Sequence, residues 1–360
     1  MFIENNGNQV NMVVGGSIPV WLDCDPGHDD AFAILLSAFH PKFKLLGIST
    51  VYGNSSNSNT THNTLGLLDA LGFNQDEVKV YSGEKRPLVK LPEYSPEIHG
   101  PNGLGGVDIP QVPRIQVSTD ETYLQAMRRA ILEYLGQICL VCTGTLTNMA
   151  TLIKTYPELK SEIRSISIMG GGINIGNSTK YAEFNIKCDP HAAKKVLTDK
   201  DLSYKTILVP LNITHTAIAT EAVINEISGG LDKIKRSPLR KLFYDTIMFF
   251  ADTYRIEQGF AKGPPVHDPL VVFLTLALIN KQYSIEDNIN FVYSRRHISV
   301  ILEGEREGET QVVGGDFDDT DEESDGVYVG MEANIELFWS YILCSLEIAE
   351  GNLSKLNIET

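Results

Sequence analysis

Residues 19–31 read Pro19-Val20-Trp21-Leu22-Asp23-Cys24-Asp25-Pro26-Gly27-His28-Asp29-Asp30-Ala31. An apolar run leads into four carboxylates within eight residues, and a helical pattern follows. The spacing predicts a strand over Ile18 to Leu22, a loop at its carboxyl end, and a helix from Ala31 to Ala38. Asp29 and Asp30 would stand in the first turn, where exposed amides favour acids. Four carboxylates in one tight turn repel each other, and a bound cation relieves that repulsion. Helix capping beside a Pro26-Gly27 turn is the plainer alternative. Oxygen donors without cysteine or paired histidines select a hard ion, calcium or magnesium. The loop has neither the twelve-residue spacing of an EF-hand nor a Gly-rich phosphate loop with Lys and Ser/Thr. A D-x-D after a strand also opens some magnesium phosphohydrolases, with Asp23 as nucleophile, and the loop alone leaves that reading open.

Outward from this stretch, strands alternate with helices. Strands are predicted at Phe43 to Val51, Val78 to Tyr81, Ile138 to Thr143, Ile163 to Met169 and Thr206 to Val209, with more near Asn290 to Leu302. Helices are predicted at Asn57 to Leu71, Thr122 to Leu135, Gly144 to Ile153, Pro190 to Leu197, Thr216 to Ile227, Leu270 to Ile279 and Asn334 to Ile348. Residues 83–118 are rich in Pro and Gly without a period, a long loop of the kind that carries function. Residues 232–262 read as helices closing over the strand ends. This alternation implies an α/β fold: an open, mainly parallel β-sheet flanked by helices, Rossmann-like, with the active site at the carboxyl ends of the strands. Residues 1–16 read as a flexible leader and residues 17–360 as a single domain, with no internal repeat.

A chain of 360 residues with net charge −16 argues against nonspecific nucleic-acid binding and against an anionic membrane surface. The acid is unevenly spread. Eleven of the 46 acidic residues fall at Glu303, Glu305, Glu307, Glu309 and between Asp316 and Asp325, and the run over 316–325 reads as a solvated loop. No window matches a membrane span. The five cysteines form no framework; Cys139 and Cys142 lie inside a strand-like run, and a reducing compartment fits. A cytoplasmic location is expected, with the nucleus as an alternative.

Asp23-Cys24-Asp25-Pro26-Gly27-His28-Asp29-Asp30 resembles the signature of the inosine-uridine-preferring nucleoside hydrolases. The resemblance continues in chain order through Gly53-Asn54, Ile98-His99-Gly100, Thr143-Gly144-Thr145-Leu146-Thr147-Asn148, Met169-Gly170-Gly171, Asn177, Glu183-Phe184-Asn185 and His267-Asp268-Pro269. It spans residues 18–350. Thr145 departs from the proline expected in the family's T-G-P-L-T-N motif. The resemblance implies calcium-dependent hydrolysis of the N-glycosidic bond of ribonucleosides by a homodimer or homotetramer. It implies Asp25, Asp30, the Thr143 carbonyl and Asp268 as calcium ligands, with Asp25 also the general base for water at the ion. Asp29, Asn54, Asn177, Glu183 and Asn185 would hold the ribose hydroxyls. His267 would assist the departing base. Asp23 is expected to brace the loop and Asn148 to stand behind the site.

The base pocket is the least explicit part. Tyr254, Arg255, Gln258 and Phe260 are candidates from the segment 245–265, joined by His99 and Phe184. An aromatic beside a polar hydrogen-bonder suits a pyrimidine, and within the family the chain is similar to the uridine-hydrolysing fungal branch. Uridine is therefore expected first, then cytidine, with inosine or nicotinamide riboside as side substrates. A broad-specificity hydrolase and a non-catalytic ribose-binding protein are the alternatives. His40, His62, His215 and His297 show no partner pattern and are expected as surface or packing histidines; His28, next to the cluster, holds a position expected to need no chemistry.

Overall fold

The computed structural model describes residues 16–230, 236–283, 288–314 and 325–359. The leader up to residue 15 and the acidic run up to Ser324 lie outside the described residues. In chain order the strands are β1 (Ile18–Cys24), β2 (Phe43–Thr50), β3 (Val80–Ser82), β4 (Cys139–Cys142), β5 (Ser165–Met169), β6 (Thr206–Val209), β7 (Val292–Arg296), β8 (Ile298–Val300), β9 (Thr310–Val312) and β10 (Val327–Glu332). The helices are α1 (His28–Phe39), α2 (Asn57–Ala70), α3 (Pro96–His99), α4 (Tyr123–Glu133), α5 (Thr147–Thr155), α6 (Phe184–Cys188), α7 (Pro190–Leu197), α8 (Leu211–Thr214), α9 (Glu221–Ile227), α10 (Pro238–Glu257), α11 (Asp268–Tyr283) and α12 (Ile335–Glu359).

One sheet runs in the order β3-β2-β1-β4-β5-β6-β10-β7, and β8 pairs with β9 apart from it. Its strands are parallel except β7, which is antiparallel to β10. Every residue of β1 is buried, as a strand covered on both faces requires. One face packs under α1, α10, α11 and α12, the other under α4, α5 and α7. Helix α11 is buried all round over Leu270–Leu276 because it crosses the middle of the first layer, against α1 and β5. The chain runs from β1 outward to β3 and then returns to the other side of β1 as β4. A reversal of this kind leaves a crevice at the carboxyl ends of the two strands. The acidic loop follows β1 and Thr143 follows β4, so both open into that crevice.

Three expectations about helices are corrected. The helix expected over Thr216 to Ile227 is broken. Ile218 pairs with Pro265 in a β-bridge, and the Ala219 amide bonds the Pro264 carbonyl. Helix α9 restarts only where the Thr220 hydroxyl caps it. The long loop carries one short helix, α3, started by Pro96. The last helix continues to Glu359 rather than ending near Ile348.

Candidate active site

The crevice is a cavity of about 270 Å³, close to the low end of pockets that hold a small ligand. Its floor comes from the ends of β1, β4 and β5. One wall comes from α6 and its approach, another from α3, and a third from the end of α10 with the His267-Asp268 turn. Asp29, Asn54, His99, Thr143, Asn177, Glu183, Phe184, Asn185, Tyr254, Gln258, His267 and Asp268 all line it. Of the residues expected from sequence to hold the metal, the ribose or the base, four do not line it: Asp25 and Asp30 lie beneath the floor, Arg255 lies outside, and Phe260 packs behind Tyr254.

Arg255 corrects the expected base pocket. Tyr254 and Gln258 are four residues apart and share one helix face, and Arg255 is turned about 100° away from them. Its guanidinium pairs with Asp252 at 2.8 Å and is largely exposed.

Asp25, Asp29, Asp30 and Asp268 are all buried. One oxygen from each of Asp29, Asp30 and Asp268 lies within 4.8 Å of the others. The Gly27 amide donates to Asp30 Oδ2 at 3.0 Å, so capping is real, but it uses only one oxygen. Asp30 Oδ1 accepts from Thr143 Oγ1 at 2.9 Å. The Asn54 amide donates to Asp25 Oδ2 at 2.7 Å, and the Asn54 side chain reaches both the Asp25 carbonyl and Asp30 Oδ2. Asp25 Oδ1 is buried without a partner. A Cβ at Gly53 or at Gly144 would overlap the Asp25 carboxylate, so both glycines are there for close approach.

Burial, followed by repulsion from Asp30, holds the Asp25 carboxyl well above its ordinary range. Burial and then Asp29 do the same to Asp268. Asp29 is pushed up to about 7 by burial and then by Asp30. These groups are not paired to any lysine or arginine lining the cavity. Oxygen-only donors, an orphaned carboxylate oxygen and mutual repulsion fit a hard divalent cation. Asp25, Asp30, Asp268 and Asp29 are the side chains that could hold it. The Thr143 carbonyl accepts from Asn185 Nδ2 at 2.8 Å and keeps a second lone pair.

The ribose candidates already hold one another. Glu183 caps α6, accepting from the Asn185 and Ile186 amides, while its Oε2 also accepts from the Gly171 amide at 2.9 Å. Burial lifts its carboxyl to about 7. Asn177 Oδ1 accepts from the Phe184 amide, and Gln258 Nε2 donates to the Asn177 carbonyl. Behind the floor, Asp23 accepts from Ser49 and from Asn148 Nδ2, the latter at 2.7 Å. Asp23 does not line the cavity, and these two bonds hold it behind the floor as a brace. Where the family motif has proline, Thr145 ties its loop with a hydroxyl bond to the Tyr52 carbonyl.

Beside Asp268, His267 Nε2 meets the Tyr254 hydroxyl at 2.8 Å, and its Nδ1 meets Thr214 Oγ1 at 2.8 Å. Burial, and then His215, keep His267 neutral by driving its pKa well below the ordinary range. Sequence reasoning passed over Thr214. The available signal was its place just beyond a strand that ends on this edge. Three histidines expected to carry no chemistry are packed against other rings. His215 packs edge-on against His267 and Phe260, His40 stacks on Tyr341, and His28 contacts His99.

Residues 20–340 match the family model described as inosine-uridine preferring nucleoside hydrolase. A uridine nucleosidase of Saccharomyces cerevisiae is 42% identical over 336 residues, covering 92% of this chain and 97% of that one. A probable ribonucleoside hydrolase of Dictyostelium discoideum is 34% identical, covering 95% and 98%. Among solved structures, a purine-preferring ribonucleoside hydrolase from Gardnerella vaginalis superposes with a TM-score of 0.78 at 27% identity, covering 92% of this chain and 99% of that one.

Proposed function

The chain belongs to the inosine-uridine preferring nucleoside hydrolase family and is an enzyme acting on ribonucleosides; from that premise we propose that it is a calcium-dependent hydrolase whose preferred reaction is uridine plus water to uracil and ribose. The observation carrying this reading is that a buried carboxylate cluster and the Tyr254–His267 pair border the same cavity. The relative at 42% identity, named for uridine, supports the choice of base.

A calcium ion held by Asp25, Asp30, Asp268 and the Thr143 carbonyl would polarise the attacking water and take up ribose hydroxyls. Asp25 Oδ1, free of other partners, receives the proton of that water. Asp29, Asn54, Asn177, Glu183 and Asn185 grip the ribose hydroxyls, and a sugar lacking one leaves a buried group unpaired. The water oxygen bonds to C1′ as the C1′–N bond breaks. The departing base takes its proton from the Tyr254 hydroxyl. Neutral His267 supports this by donating from Nε2 to that hydroxyl, with Thr214 donating to Nδ1. Phe184 and Gln258 border the base.

Ribose release should be measured by reducing-sugar assay over uridine, cytidine, inosine, adenosine, guanosine and nicotinamide riboside, with and without chelator. Fastest release from uridine, lost on chelation, is the expected result. Faster release from a purine nucleoside would overturn the base assignment; binding with no sugar released would leave a ribose-binding protein.

The family resemblance supports a homodimer or homotetramer, with residues 17–360 as one catalytic domain. A fully active monomer in sedimentation would overturn the first. All five cysteines are free, which fits a reducing compartment such as the cytoplasm or nucleus. Among the described residues no helix is long and apolar enough to cross a membrane. Uracil and ribose are the products that place the reaction in pyrimidine salvage.

A further inference from the structure

Asn63 stands on α2, buried, and does not line the cavity. Its Nδ2 donates twice, to the Pro26 carbonyl at 3.0 Å and to the Asn102 carbonyl at 2.9 Å. A carbonyl can only accept, so the amide nitrogen and not the amide oxygen faces both, and both of its hydrogens are used. The amide oxygen is left buried without a partner, a cost that the two donated bonds have to offset. The surroundings are shaped for this approach. Gly66, three residues on along the same face of α2, makes room for Ile109, which a Cβ there would strike. A Cβ at Gly103 would crowd Ser55 and stand 3.2 Å from Asn63 Nδ2, and Gly103 takes the left-handed φ of +82°.

Each of the two carbonyls leads to the site. Pro26 and Gly27 share one trans peptide plane, in which the carbonyl and the N–H point in opposite directions. Holding the Pro26 carbonyl toward α2 therefore aims the Gly27 N–H the other way, where it donates to Asp30 Oδ2 at 3.0 Å. Asn54 Nδ2 meets that oxygen at 3.2 Å and Thr143 Oγ1 donates to the other at 2.9 Å, so Asp30 is oriented by three donors. Asn102 lies three residues beyond His99, in a turn closed by bonds from the Gly103 amide to the Gly100 carbonyl and from the Gly105 amide to the His99 carbonyl.

We infer that Asn63 is a positioning residue: its single amide group fastens the Pro26–Gly27 peptide that orients Asp30 to the turn that follows His99, and so ties the carboxylate cluster to the rim of the cavity. This rests on the hydrolase reading and deepens it. Asn63 acts through the Gly27 amide on a carboxylate assigned to calcium, and through the Asn102 carbonyl on the segment that bears His99.

The test compares the full chain with Asn63→Leu, which is similar in size and has no donor, and with Leu346→Ala, which removes buried volume from α12 away from the cavity. Amide exchange is read by NMR in chelated protein. In Asn63→Leu the Gly27 and Gly105 amides should exchange about tenfold faster than the fall in global stability accounts for; in Leu346→Ala they should change only by that fall. Calcium affinity by calorimetry should drop about tenfold in Asn63→Leu, the worth of one hydrogen bond, and stay at the wild-type value in Leu346→Ala. Exchange and calcium affinity that follow the Leu346→Ala pattern would overturn the proposal. Where leucine does not fold, Asn63→Ser takes its place. Its hydroxyl can hold at most one of the two carbonyls, so exchange should rise at Gly27, at Gly105 or at both, and no rise at either would overturn the proposal. A wild type that binds no calcium and releases no ribose would refute the hydrolase reading instead, and exchange in the chelated protein would still decide for or against Asn63.

Discussion

At the residue scale the site is a set of oxygens that repel and a hydrogen-bonded pair, Tyr254 and His267, that the proposed mechanism uses for departure of the base. Asp25→Asn keeps the Asn54 amide contact but removes a proton acceptor and a charge. Turnover should fall by about 10²–10⁴-fold, the usual worth of a positioned acid or base, and calcium affinity measured by calorimetry should fall with it. Calcium affinity lost with turnover intact would separate the two roles assigned to Asp25. Tyr254→Phe leaves the ring packed against Phe250 and Phe260 but removes the hydroxyl on His267. It should slow uridine strongly and a nitrophenyl riboside little, because nitrophenoxide departs without a proton. Equal slowing of both would take the hydroxyl out of leaving-group departure. Asp23 was legible as a brace because Asn148 recurs in the same ordered set of motifs. Thr214 was not, because its partner nitrogen is supplied from a turn 53 residues further along the chain.

At the element scale, single carboxylates fasten elements to the site. Asp189 caps α7 through the Ala192 amide, and its other oxygen accepts from Thr147 at the start of α5 and from the Leu88 amide. That last bond anchors the loop whose continuation, Glu93 to His99, forms the cavity rim. Asp189→Ala should destabilise the protein by about 1–3 kcal/mol, the combined worth of a cap and of buried donors left unpaired. Hydrogen exchange at the Leu88 amide should rise with the loss of stability. Protection there unchanged would mean the rim is held by other contacts, such as the Lys90 pairs with Glu93 and Glu307. The helix α10 was legible as an element near the site, but its inward face was not. Arg255 and Tyr254 are adjacent in sequence and separate only once the helix is docked.

For the whole molecule, the carboxylate cluster couples stability to pH and to metal. Asp23, Asp29 and Glu183 have folded pKa values near 7, above their ordinary unfolded values, chiefly because of burial. The folded metal-free protein therefore binds more protons than the unfolded chain from about pH 4 upward. Its stability is full below the unfolded pKa values and is lost as pH rises through 7. Thermal unfolding of chelated protein should show Tm falling from pH 5 to pH 8, and calcium should raise Tm most at pH 8. A metal-free Tm that rises over this range would contradict the burial of these acids. The cavity lining adds Glu93, Glu97 and Glu257 to the cluster and holds no lysine or arginine. Uridine 5′-monophosphate should therefore bind more weakly than uridine itself, with the gap narrowing as salt screens the rim.

The sequence by itself determined the α/β class, the parallel order of most strands, the hard-cation character of the acidic loop and the membership of the ordered motifs. These are local properties: periodicity, turn chemistry, and residue types fixed within a few positions of one another. Tertiary structure alone decided which polar residues meet. The return of β4 beside β1 brings Thr143 to Asp30, and the docking of α10 aims Tyr254 and not Arg255 at the cavity. The approach of the loop around Gly105 to α1 turns His28 from a filler of the signature into the partner of His99. Such contacts join residues from 13 to 113 positions apart, and their geometry is set by packing that no short stretch of sequence contains.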